Sequence, residues 1–133
     1  MSNVVTVLWY EDTETWLNTA KQKVQRRADA LGLHLDFDHD FMAFGPVVFN
    51  VGYDIALIDR TLSSTLLGST LIHELRAHGS ETPVIYYTQA HDIDLQAEVQ
   101  GLADVECVLR EELVDKFLEF LEEKAAKLAA PQV

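Results

Sequence analysis

Tyr53-Asp54-Ile55-Ala56-Leu57-Ile58-Asp59-Arg60-Thr61 is the stretch that decides how the chain is read. Ile55 to Ile58 is an apolar run too short for a helix and bounded by polar residues. Such a run suits a strand buried on both faces, as in a parallel sheet covered by helices. It ends in Asp59, and in open α/β sheets ligands bind at the carboxyl ends of the strands. The chemistry therefore depends on which other residues reach that end.

Upstream, Val4 to Tyr10 is apolar apart from Thr6 and predicts a first central strand. It stops at Glu11-Asp12-Thr13-Glu14, where Asp12 or Thr13 can cap a helix and acids favour the positive end of its dipole. Trp16, Ala20, Val24, Ala28 and Leu31 follow at helical spacing, and Gly32 is a natural stop. Leu33, Leu35 and Phe37 then alternate with His34, Asp36 and Asp38, the period of a strand with one wet face at a sheet edge. The cluster His34, Asp36, Asp38, His39 and Asp40 matches no metal-ligand spacing and reads as a solvated edge. Between Asp40 and Gly52, Gly45-Pro46 interrupts any long helix, so a short or irregular one is expected.

Downstream, Thr61 to Thr65 reads as a polar loop. Leu66, Thr70, Leu71, Ile72 and Leu75 form a helical face that ends at Gly79. Pro83 to Thr88 is a further buried-strand pattern closing on a hydroxyl. Leu95, Val99 and Leu102 predict the next helix, and Val105 to Leu109 the fifth strand, with Arg110 directly after it. Leu113, Phe117, Phe120, Leu121 and Leu128 give the last helix its apolar face, and residues 129–133 should fray. Strand and helix alternate throughout. That alternation predicts an α/β fold of three layers, (βα)5, with a parallel sheet and helices on both faces; right-handed crossovers restrict the topology, and the flavodoxin-like order 2-1-3-4-5 is the one chosen.

The 133 residues suit a single domain spanning 1–133, with 48% hydrophobic residues and a formal net charge of −12. Such acidity disfavours nucleic acid and anionic membrane as partners and favours basic protein surfaces and divalent cations. Cys107 is the only cysteine, so no internal disulfide forms and a reducing cytoplasm is the expected setting. No secretory leader, membrane span or internal repeat is visible.

In the predicted order the first and third strands are neighbours and the topological switch point lies between them. Glu11 and Asp12 follow the first strand, Asp59 ends the third, Thr88 ends the fourth and Arg110 follows the fifth. Three carboxylates in one pocket repel each other unless a cation is present, and a hard cation such as Mg²⁺ suits oxygen ligands. A hydroxyl and a guanidinium opposite them can hold the oxygens of an incoming anion. Together these groups describe a carboxylate that accepts a phosphoryl group, with Asp59 as nucleophile and Thr88 and Arg110 clamping phosphate oxygens.

Over nearly its whole length the chain resembles the CheY-like receiver domains of two-component response regulators. The resemblance rests on Glu11-Asp12, on Asp59 in Tyr-Asp-Ile-Ala-Leu-Ile-Asp, and on Gly68 with Leu71-Ile72 and Leu75-Arg76. It continues with Thr88 after Pro-Val-Ile-Tyr-Tyr and Arg110 after the fifth strand, at the intervals the family keeps. It implies Asp59 as phosphoacceptor, Asp12 as a Mg²⁺ ligand, Glu11 as a ligand directly or through water, and the backbone carbonyl of Thr61 as a further ligand. It implies Thr88 as the group that follows the phosphate. The implied partners are a histidine kinase or phosphotransfer protein and an unknown downstream protein, with a homodimer through the last two helices and the fifth strand also open. The expected protein is a stand-alone phosphoacceptor, not a turnover enzyme.

Several positions depart from the family pattern. Arg110 replaces a lysine, and a forked guanidinium does not substitute simply for a point charge at a phosphate site. Gln89 stands where a very small residue is usual, Cys107 where an aromatic switch residue is usual, and Thr61-Leu62 replaces Met-Pro. These changes keep open an alternative, a pseudo-receiver that binds protein without phosphorylation. A flavodoxin-like cofactor binder needs a phosphate-cradling loop after the first strand, and Glu11-Asp12-Thr13-Glu14 would repel one.

Overall fold

The computed structural model describes residues 3–11, 13–38, 52–61 and 67–129. Its elements run β1 (Val4–Tyr10), α1 (Glu14–Ala30), β2 (His34–Asp38), β3 (Ile55–Asp59), α2 (Gly68–Ala77), β4 (Val84–Thr88), α3 (Leu95–Glu98), β5 (Val105–Leu109) and α4 (Arg110–Ala129). The five strands form one sheet in the order β2-β1-β3-β4-β5, and every pairing is parallel. The apolar run at Ile55 is thus its middle strand, buried at every position.

Strand alternation divides the core into two layers. Val5, Val7 and Trp9 of β1, Leu57 of β3, and Ile85 and Tyr87 of β4 meet α1 and α4 on one face. Leu8 and Tyr10, Ala56 and Ile58, and Val84 and Tyr86 meet α2 and α3 on the other. The helices seat themselves by their apolar stripes. Leu113, Phe117 and Leu121 stand at successive turns of α4 and are fully buried, each contributing about 1.5–3 kcal/mol of apolar transfer. In α1 the buried stripe is Leu17, Ala20, Val24 and Ala28, while Trp16 and Leu31 pack at its margin.

The expected order and layering are those observed. The helix predicted from Leu95, Val99 and Leu102 differs: α3 is a single turn of four residues. Asp94 caps it, its carboxylate accepting the Ala97 N–H at 3.3 Å. The chain then leaves helical geometry at Val99 and takes positive φ at Gly101 (85°) and Asp104 (55°). Val99 and Leu102 still reach the core, but from turns. β2 shows the expected wet face, with His34, Asp36 and Asp38 exposed and Leu35 buried. Asp38 accepts the Tyr53 hydroxyl at 2.6 Å. The helix expected between Asp40 and Gly52, the loop from Leu62 and most of the expected frayed end lie outside the described residues. No described helix is long and apolar enough to cross a membrane.

Gly68 fixes the approach of α2 to the sheet. A Cβ there would collide with the Asp59 carbonyl oxygen and lie 2.8 Å from Ile58 Cγ2. Only glycine lets the start of α2 rest directly on the end of β3, where its N–H bonds the Arg60 carbonyl at 2.7 Å.

Candidate functional site

The carboxyl edge of the sheet gathers the site. Asp59 closes β3 and Thr88 closes β4, both buried, and Tyr87 is the register partner of Asp59. Asp59, Thr61 and Thr88 line one pocket of about 300 Å³ together with Thr13, Gln89, Ala90 and Ile93. The Asp59 Oδ1 accepts the Thr61 N–H at 3.3 Å, which turns the chain sharply out of β3. Thr88 Oγ1 accepts the Ala90 N–H at 3.1 Å, which ties the side chain to the loop that follows β4. Gln89 is exposed on that loop, at the pocket wall.

Glu11 sits on a different set of partners. Its side chain is fully buried, with Oε1 accepting the Tyr87 hydroxyl at 3.0 Å and Oε2 accepting the Thr13 N–H at 2.8 Å. Tyr87 in turn accepts the Trp9 indole N–H at 3.0 Å. Alternation explains the convergence, since Trp9 and Tyr87 both face the α1 and α4 layer. Burial, then the charges of Glu11 and Asp59, push the Tyr87 hydroxyl well above its ordinary value. It therefore stays protonated and serves as a donor to Glu11.

Arg110 turns toward Glu11. Its Nη2 lies 3.7 Å from Glu11 Oε2, an ion pair too long for a hydrogen bond. Its guanidinium carbon lies 4.1 Å from the centre of the Trp16 ring. Nε and Nη2 are buried and lack a hydrogen-bond partner among the described residues. With Trp16, His91, Leu109 and Glu111, Arg110 lines a second pocket of about 230 Å³ that shares Thr88 and Gln89 with the first. The predicted residues thus divide into two adjoining groups: Asp59, Thr61 and Thr88 on one side, Glu11 and Arg110 on the other. Asp12 lies outside the described residues.

Carboxylate oxygens are the donor type that a hard divalent cation takes, and both Glu11 oxygens already accept hydrogen bonds, from Tyr87 and Thr13. Glu11, Asp12 and Asp59 offer carboxylate oxygens, and the one guanidinium beside Glu11 leaves negative charge in excess. Among the described residues no three His, Cys, Asp or Glu side chains cluster as a metal site.

No protein-family model matches the sequence, and no curated protein matches it. Solved structures do. The receiver domain of Francisella response regulator 1452 superposes with a TM-score of 0.67 at 19% identity, covering 93% of this chain and 98% of that one. The chain has the fold of response-regulator receiver domains. A second receiver, from a Pseudomonas aeruginosa sensor histidine kinase, is described with a magnesium ion coordinated in its active-site cleft. It matches with a TM-score of 0.62 and 16% identity over 92% of this chain and 98% of that one. A Burkholderia pseudomallei response regulator, described with a phosphorylated aspartic acid, a calcium ion and citrate, gives 0.62 and 18% over 93% of this chain and 70% of that one. At these identities the shared property is the receiver fold.

In the sequence Trp9 reads as core packing at the end of β1 that could also wall the pocket, and it is buried in the core; the other residues that complete this receiver-like edge are not singled out there for the site. Tyr87, Trp9 and Trp16 surround Glu11 and Arg110, and Arg60, Tyr86 and Glu98 form a separate cluster beside Asp59. The visible signal was Tyr86-Tyr87 inside an aliphatic strand, two hydroxyls that burial obliges to find partners.

Proposed function

We propose that the chain is a phosphoacceptor receiver: Asp59 takes a phosphoryl group from a histidine kinase or phosphotransfer protein, with Mg²⁺, and the modified domain signals by protein–protein contact. One observation carries the reading. Asp59 and Thr88 end adjacent strands and line one pocket at the switch-point edge. In the step proposed, an Asp59 carboxylate oxygen attacks phosphorus and forms the new O–P bond. The bond from phosphorus to the donor's leaving atom breaks, and the leaving group keeps its electron pair. In this reading the Thr88 hydroxyl would donate to a phosphoryl oxygen. Bound Mg²⁺ would supply neutralisation of the carboxylate and phosphoryl charge, held by Asp59 with Glu11 and Asp12.

The pseudo-receiver reading has its own support. Arg110 is engaged with Glu11 and Trp16 and does not line the Asp59 pocket. In that reading the same surface binds protein without chemistry. Intact-mass spectrometry after incubation with acetyl phosphate, with and without Mg²⁺, separates the two. A Mg²⁺-dependent phosphoryl adduct, absent in Asp59→Asn, is the expected result. No adduct in the wild type, nor in Gln89→Ala, which clears the pocket wall, gives the pseudo-receiver.

A further inference from the structure

The wall of the Asp59 pocket is tethered. Arg60, the residue after Asp59, reaches across to Glu98 at the end of α3. Its Nε lies 3.1 and 2.9 Å from the two Glu98 oxygens, and its Nη2 lies 2.8 Å from Oε2. The Tyr86 hydroxyl donates to Glu98 Oε1 at 2.6 Å. A third element joins at the backbone, where His73 Nε2 of α2 lies 3.0 Å from the Glu98 carbonyl oxygen. One glutamate therefore collects contacts from the exit of β3, from β4 and from α2.

The two ends of this tether are unequally anchored. On one side Arg60 is built into the sheet: its N–H bonds the Tyr87 carbonyl at 2.8 Å, and its carbonyl accepts the Gly68 N–H at 2.7 Å. On the other side the segment from Gln89 to Asp94 has no ladder partner, and α3 is one turn. A single turn of helix does not hold itself together in water. Three of that segment's residues, Gln89, Ala90 and Ile93, form the wall of the Asp59 pocket. Whatever holds α3 holds that wall. The forked guanidinium matches the carboxylate on two atoms, and both side chains are about one-fifth exposed, so screening by water is reduced.

We infer that the Arg60–Glu98–Tyr86 cluster is a latch that keeps the Gln89–Asp94 wall closed over Asp59 and so controls the access of phosphodonors. The inference rests on the phosphoacceptor reading for its purpose but not for its mechanics. Glu98→Gln keeps the shape and an acceptor for Tyr86 while removing the charge that faces Arg60. Hydrogen exchange read by mass spectrometry should then show amides of 89–98 exchanging about tenfold faster, with α1 and β1 unchanged. Labelling of Asp59 by acetyl phosphate should quicken several-fold in the same variant. The pair Arg60→Glu with Glu98→Arg should restore slow exchange, which a purely local packing role would not produce.

Unchanged exchange across 89–98 overturns the latch. So does acceleration spread over the whole sheet without recovery in the swapped pair. Faster exchange with wild-type labelling overturns its control of access. If neither the wild type nor Glu98→Gln takes label while exchange behaves as expected, the latch stands and the phosphoacceptor reading falls.

Discussion

Tyr87→Phe isolates the buried network behind Asp59. Phenylalanine keeps the ring and its packing against Trp16, whose centroid lies 6.0 Å away, and removes only the hydroxyl. Two hydrogen bonds go with it, one from Trp9 Nε1 and one to Glu11 Oε1, each 3.0 Å. The first loss leaves a buried indole N–H with no acceptor, at a cost of about 1–3 kcal/mol. The second removes a bond to a carboxylate, worth about 1.5–3 kcal/mol. Glu11 keeps the Thr13 N–H and Arg110, so the two losses do not add in full. The expected destabilisation is about 2–4 kcal/mol, a large part of a typical domain's stability. Urea unfolding followed by far-ultraviolet circular dichroism measures it without depending on the tryptophans. A second arm combines the change with Trp9→Phe, which should cost less in the Tyr87→Phe background than in the wild type. A loss below about 1 kcal/mol, or full additivity of the two changes, would refute the network as an energetic unit.

The remaining expectations concern the same edge. Gly68→Ala should destabilise by about 1–3 kcal/mol, because its Cβ must displace the Asp59 carbonyl or the start of α2. Wild-type stability in a thermal or urea titration would contradict that packing. Alkaline titration tests the buried tyrosines. Burial, then the hydrogen bond to Glu98, raises the Tyr86 hydroxyl; burial, then the charges of Glu11 and Asp59, raises Tyr87. Because their folded pKa values lie above the unfolded value of about 10, their contribution to stability is complete below that pH. It declines as pH rises from there through the folded values. Tyrosinate absorbance should therefore show neither group ionising near pH 10 in the native protein, and both appearing as the fold is lost. Reversible ionisation of all the tyrosines near their ordinary value, with native structure intact, would be the contrary result.

The order of elements was legible because each rule involved is local. A covered parallel strand is a short apolar run, as in Ile55–Asp59, and a helix facing such a sheet shows one stripe, as in Leu113, Phe117 and Leu121. The length of α3 was not legible. Leu95, Val99 and Leu102 keep helical spacing, yet the chain turns after Glu98 and still buries Val99. Hydrophobic spacing records which residues are buried, not which backbone path takes them there.

The sequence by itself determined the strand that carries Asp59, the residues that end its neighbours, and the topology that brings those ends to one edge. Periodicity locates the strands and right-handed crossovers restrict their order, since both act on backbone and burial alone; the flavodoxin-like order was a choice among those left, and it is the one observed. Tertiary structure decided how the charged side chains at that edge pair. Arg110 follows β5 in sequence, but its guanidinium lies on Trp16 and beside Glu11. Arg60 follows Asp59 immediately, yet its partner is Glu98, which β4 and α3 bring within reach. Long side chains choose partners by distance and burial across elements, and chain order specifies neither. The two readings of the site differ at that level, in where one guanidinium points.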